Sequence, residues 1–225
     1  MNWLLHSYVS GKLSYGAHTL VLSQLQISDK YHSWVAACEA AIGCYLDEIP
    51  TQKLSWMEDG LNKLFDSSPQ SETFNCNNSS YQADIHDESL RKEISLQNDD
   101  LMPPILKSFF SLKNDELPWR KRFPGFSEIK CDKALGDVRL LRIDPGKAMP
   151  HHTHEGGVEL TLVLKGSFSD GDDEYRRGDI CIAGEGDHHQ PIAGLEEECI
   201  CLAVTEGEVR LSGMLGKVLS PFIKY

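Results

Sequence analysis

The sequence predicts an α+β protein in two domains, a small N-terminal helical bundle followed by a C-terminal β-barrel or sandwich. Three observations predict it. Apolar side chains recur at three- and four-residue spacing between Trp3 and Phe65, a polar, turn-rich segment follows from Ser67, and beyond Pro103-Pro104 short apolar runs of strand length are punctuated by glycine turns. The divisions fall at 1–66 for the helical domain, 67–103 for the linker and 104–225 for the β domain.

Trp3, Leu4, Tyr8 and Val9 make a short apolar stripe that ends near Gly11. Ser14 is placed to N-cap a second helix carrying Leu20, Val21 and Leu25. Ser28 or Asp29 caps a third, along which Trp34, Cys38, Ala41, Ile42 and Tyr45 recur, so Cys38 is expected to be a small buried residue. Pro50 follows its end, and Trp56, Leu61, Leu64 and Phe65 suggest a fourth helix interrupted by Gly60. The linker is expected to hold at most one short helix, about Leu90 to Ile94. In the β domain Val138 to Ile143 alternates and stops at Pro145-Gly146, and Val158 to Leu164 is nearly continuous and ends at Lys165-Gly166. Gly178-Asp179 opens Ile180 to Ile182, Glu198 to Val204 alternates again, and Leu211 to Ile223 is apolar enough to pack back on the barrel.

Composition excludes several classes. With 22 Lys and Arg against 34 Asp and Glu the formal charge is −12, which repels phosphate backbones and acidic lipid. Direct nucleic-acid binding is disfavoured, although an acidic chain can cover the basic surface of a DNA-binding partner. No apolar run reaches the ~20 residues of a membrane span, and the N-terminus has neither the charged nor the apolar region of a signal peptide. Seven cysteines, an odd number, read as reduced thiols, and a cytoplasmic protein is expected.

Two segments carry chemistry. The first runs from Pro145 through His151-His152-Thr153-His154-Glu155-Gly156-Gly157-Val158-Glu159, and the second is Gly178-Asp179 followed by Gly186-Asp187-His188-His189. On a strand, His152 and His154 share one face. Glu159 is out of parity with them, and the Gly156-Gly157 pair is read as a turn that starts a new strand and returns the carboxylate to the same side. His189 arrives from a distant hairpin to complete three imidazoles and one carboxylate. Such a donor set suits Zn, Fe, Mn, Ni or Co, with zinc the first choice for a closed tetrahedron.

The order of these elements resembles the two motifs of the cupin superfamily. That resemblance implies a double-stranded β-helix (jelly-roll) barrel from about Phe126 to Val204, with one divalent metal on His152, His154, Glu159 and His189. It favours His152 over His151, and the Gly186-x-x-His spacing favours His189 over His188.

Four further segments are Leu4-Leu5-His6-Ser7-Tyr8-Val9-Ser10-Gly11-Lys12-Leu13, His154 to Asp170, Tyr175 to Asp179 and Cys199 to Ala203. Through them most of the chain resembles the ChrR-type cupin anti-sigma factors. The resemblance implies a helical head that sequesters an extracytoplasmic-function (ECF) sigma factor. The cupin domain is then needed for release under oxidative stress from singlet oxygen or organic hydroperoxides. It implies no catalysis, and it suggests that Cys199 and Cys201, on one strand face, take part in redox sensing beside the metal. The family's head binds zinc through an early His and a His-x3-Cys-x2-Cys motif. Here His6 matches the first ligand, but Gln24, Ser28 and Tyr31 stand at the other three positions, so the head is expected to fold without zinc. Cys131 and Cys181 are expected in the core, and Cys76 in the linker.

The same ligand set also occurs in cupin dioxygenases, oxalate-degrading enzymes and isomerases. A dioxygenase-like metalloenzyme is therefore the alternative, with a small-molecule sensor lacking a sigma partner as a third reading. A homo-oligomer through cupin sheets would use an edge strand near Phe126 to Cys131.

Overall fold

The computed structural model describes residues 1–49, 102–112, 117–131 and 136–211. The predicted fourth helix, the linker with its short helix, Cys76 and the apolar tail beyond Leu211 lie outside the described residues.

Helix α1 spans Asn2–Val9 and buries Leu4 and Leu5; Gly11, at φ +66°, follows it. Helix α2 spans Tyr15–Ile27, and the Ser14 side chain accepts the Ala17 N–H as its N-cap. Ser28 likewise caps a 3₁₀ turn, Asp29–Tyr31, which leads into α3, His32–Asp47. Up to Glu39, α3 buries only Val35, and Cys38 is half-buried, not enclosed as expected. Helix α4, Pro104–Phe109, starts on proline, whose missing N–H costs nothing in a first turn, and buries Leu106 and Phe109.

Among the described residues ten strands follow: β1 Arg120–Phe123, β2 Phe126–Lys130, β3 Asp137–Ile143, β4 His152–Lys165, β5 Ser167–Asp170, β6 Asp173–Arg176, β7 Ile180–Ala183, β8 His188–His189, β9 Ile192–Ala193 and β10 Cys199–Leu211. The larger sheet has the order β1-β2-β3-β10-β4-β7, with β8 also paired to β4, and the smaller is β6-β5-β9. All the pairs are antiparallel. Strand β2, expected at an edge, lies inside the sheet, because β1 adds outside it. The actual edge presents Arg120, Lys121 and Arg122, cations that discourage a second sheet from pairing there.

The large sheet is covered on both faces, which is why its central strands read as near-continuous apolar runs. One face, with Phe126, Ile143, Val163, Cys181, Cys199 and Cys201, closes the barrel interior together with Phe168 of the small sheet. The other, with Val138, Leu140, Leu160, Leu162, Leu164, Leu202 and Val204, packs against Leu4, Leu5, Leu20, Val21 and Leu106 of the helices. Gly16 makes the close approach of α2 to the sheet feasible, since a Cβ there would sit 2.7 Å from a Val138 methyl. The buried hydroxyls of Thr19 and Ser23 bond back to the carbonyls of Tyr15 and Thr19, so they bring no orphan polar group into this core. Residues up to Glu39 therefore belong to the same compact unit as the barrel, and a second unit begins at Ala40. Over residues 1–39 the apolar face of the helices is satisfied by the outer face of the sheet.

The contact is reinforced at the turn before β7. Gln24, wholly buried, donates from Nε2 to the Gly178 carbonyl at 3.3 Å, and Lys30 Nζ lies 2.6 Å from Asp179 Oδ1. A Lys30→Ala, Asp179→Ala double-mutant cycle on urea unfolding is expected to give a coupling below about 1 kcal/mol, because Lys30 is half exposed. Burial pushes the Asp179 carboxyl up, but the Lys30 and Arg176 N–H donors outweigh it and hold the carboxyl below the usual range. The coupling is thus present above the ordinary Asp range and is lost as pH falls through the depressed folded value. A coupling that survives unchanged in strong acid contradicts this account.

Candidate metal centre

A single irregularity in β4 builds the site. The ladder with β10 pairs Val158 with Glu206 and Glu155 with Glu208, so Gly156 and Gly157 together face Gly207 alone. This is a β-bulge, with Gly156 at φ +69° and Gly207 at φ +112°, and it shifts the side-chain alternation by one residue. His152 and His154 before it, and Glu159 and Thr161 after it, thereby face the same interior. The expected turn between two strands is absent: β4 runs unbroken from His152 to Lys165. Strand β8 then pairs His189 directly with His152.

Candidate ligand atoms of His152, His154, Glu159 and His189 all lie within 4.8 Å of one another, and among the described residues this is the one such group of His, Cys, Asp or Glu. His154 Nε2 is 3.1 Å from His189 Nε2 and 4.0 Å from Glu159 Oε2. His152, His154 and His189 are 5 %, 0 % and 7 % exposed, too enclosed to be surface histidines beside turns. His152 Nδ1–H donates to the Pro150 carbonyl at 2.9 Å, and His189 Nδ1–H to Asp170 Oδ2 at 2.8 Å. Each bond leaves Nε2 as the free lone pair directed at the cluster. Glu159 is held from both oxygens, by Thr161 Oγ1 and by Thr205 Oγ1 on the facing strand, each at 3.2 Å. Burial pushes the His152 and His154 imidazoles below their ordinary range despite the nearby Glu159 carboxylate, so they are neutral donors at physiological pH. Buried neutral nitrogens and one fixed carboxylate, converging on one enclosed space, fit a divalent cation.

The competing histidines go elsewhere: His188 points away on the exposed side of β8, and His151 is exposed. Cys199 and Cys201 are buried with Sγ atoms 3.4 Å apart, and Cys201 lines the same cavity as His152, Glu159 and His189. A hydrogen bond with Cys199, together with burial, pushes the Cys201 thiol well above its ordinary value. Cys131 and Cys181 are buried as expected, and Cys181 also lines the cavity, its thiol pushed up to about 11 by burial.

Sequence reasoning missed an ion-pair network lining that cavity. Arg139 binds Glu128 at 2.9 Å and Asp137 at 2.7 Å, and Arg122 binds Glu128 at 2.6 Å. The signal was present: Arg139 shares strand parity with Leu141 and Ile143, which places it inside. In the head, Ser28 is a cap and Gln24 a bridge to the barrel, while the His6 ring packs edge-on against Trp34 at 4.8 Å. Among the described residues no helix is long and apolar enough to cross a membrane.

The ChrR cupin-like domain family matches residues 110–209. Over 222 residues the chain is 30% identical to anti-sigma-E factor ChrR of Cereibacter sphaeroides, covering 98% of this chain and 95% of that protein. It also superposes on a chain of the crystal structure of Rhodobacter sphaeroides SigE in complex with the anti-sigma ChrR. That match has a TM-score of 0.66 and 27% identity, and covers 92% of this chain and 97% of the other. Likeness at this level over nearly both whole chains, helices and barrel together, is more than a shared fold: the chain belongs to the ChrR-type family of cupin anti-sigma factors, a family of regulators and not of enzymes.

Proposed function

We propose that this chain sequesters an ECF-type sigma factor in the cytoplasm and releases it under oxidative stress sensed at a metal-bound cupin site. The observation that carries the first part is the match along 97% of a chain crystallised in a sigma–anti-sigma complex. The charge of −12 suits a partner with a basic DNA-binding face. The second part rests on the site: His152, His154, Glu159 and His189 would hold one divalent ion, zinc first and Mn, Fe or Ni as the other candidates. A bound ion would supply a fixed positive charge in the cavity that Cys201, paired with Cys199, also lines. Gln24, Ser28 and Tyr31 favour a head held by packing and hydrogen bonds in place of zinc.

A metalloenzyme would need a charged anchor for substrate in the lumen. The two arginines lining it, Arg122 and Arg139, are committed to Glu128 and Asp137, which argues against that alternative.

Co-expression of the tagged chain with each ECF sigma factor of its own organism is expected to yield, for one of them, a one-to-one complex with a single metal per anti-sigma chain. Metal without any sigma factor in the purified material would remove the sequestration reading and leave a sensor or enzyme.

A further inference from the structure

We propose that Asp170 is a positioning residue of the metal centre, setting the His189 tautomer and tying the small sheet to the site. The inference rests on the reading above that the four side chains hold a metal. All four come from the large sheet, three on β4 and one on β8. Asp170 comes from the other sheet, as the last residue of β5. The two-residue turn Gly171-Asp172, fixed by the Asp170–Asp173 pairing and by Gly171 at φ +60°, presents it. Its Oδ2 is 2.8 Å from His189 Nδ1, and both side chains are largely buried, at 16% and 8% exposed.

A neutral imidazole carries one N–H. With that hydrogen on Nδ1 and donated to Asp170, the Nε2 lone pair faces His154 Nε2, 3.1 Å away, where a shared cation would lie. The three imidazoles differ in this outer support. Among the described residues His152 leans on a backbone carbonyl, His154 Nδ1 is buried with no hydrogen-bond partner, and His189 is the one of the three whose Nδ1 is hydrogen-bonded to a carboxylate. An anionic acceptor makes the imidazole a stronger donor to a cation than a carbonyl does, and it penalises the tautomer in which Nε2 carries the hydrogen. Asn at 170 removes the charge and can donate its own amide hydrogen to Nδ1, which favours that unproductive tautomer.

The test uses the full chain. Zinc affinity is measured by competition with a chromophoric chelator, with cobalt absorption as a report on ligand geometry. Asp170→Asn is expected to weaken zinc binding by about 10- to 100-fold and alter the cobalt spectrum, with the chelator-treated melting temperature unchanged. In the zinc-loaded wild type, long-range ¹⁵N–¹H correlation is expected to place the His189 hydrogen on Nδ1, a readout that survives if the variant does not fold. Wild-type affinity and spectrum in Asp170→Asn, or a His189 hydrogen on Nε2, overturns the proposal alone. A wild-type chain that binds neither zinc nor cobalt overturns it together with the metal reading beneath it.

Discussion

Gly157→Ala is expected to abolish metal binding and to cost about 3 kcal/mol of stability or more, the largest penalty of any glycine-to-alanine change among the described residues. A Cβ at Gly157 would lie 1.4 Å from the Glu206 carbonyl oxygen and 2.9 Å from the Gly207 nitrogen, both backbone atoms of the strand paired with it. Backbone cannot rotate aside as a side chain would, so β4 and β10 must separate at the bulge. That place decides which face Glu159 presents. Without the extra residue, strict alternation from His154 sends Val158 inward and Glu159 outward, and the carboxylate leaves the cluster. Gly156→Ala provides the contrast. A Cβ there has nothing within 4 Å, and its penalty comes only from the positive φ, about 1 kcal/mol. Urea unfolding and metal content of the two variants check the claim. Equal, mild effects would mean that the bulge does not set the register.

Much of the site was legible in the sequence because its signals are local or periodic. His152 and His154 share a face by the period of two, Ser14 and Ser28 stand where caps belong, and Gly178-Asp179 does open β7. What was not legible depends on pairing partners. A Gly-Gly pair in a strand has two physical outcomes, a turn or a bulge, and only Gly207 on the facing strand, itself at positive φ, selects the bulge. The helices read as a bundle because 3.6-residue periodicity reports that a face is buried, not what buries it; here Leu20 and Val21 share one core with Leu140 and Leu162 of the sheet. Strand β2 read as an edge because the cationic β1, Arg120–Phe123, lacks the alternation that marks a half-buried strand. Asp170 lies 19 residues before His189 in the other sheet, and no spacing rule connects them.

His154→Leu is expected to change the sign of its effect with metal. In the chelator-treated chain the four side chains form a liability: three imidazoles and a carboxylate crowd a buried space, and His154 Nδ1 is enclosed without a partner. Desolvating polar groups in this way costs free energy, and replacing one by an apolar side chain of similar volume is neutral or stabilising by about 1 kcal/mol. With zinc present the order reverses. The wild type gains RT ln(1 + [L]/Kd), about 4 kcal/mol at a thousandfold excess over Kd, whereas the variant has lost a central ligand and gains almost nothing. Unfolding curves of both chains, with chelator and with zinc, are therefore expected to cross: variant equal or higher without metal, wild type higher with it. Loss of stability in both conditions would assign His154 to packing. A zinc-dependent gain that persists in the variant would place the ion on other residues. The crossing pattern identifies a pocket whose buried polarity is compensated by the ion, and in such a pocket losing the ion is itself a destabilising event at the sheet that carries α1 and α2 on its outer face.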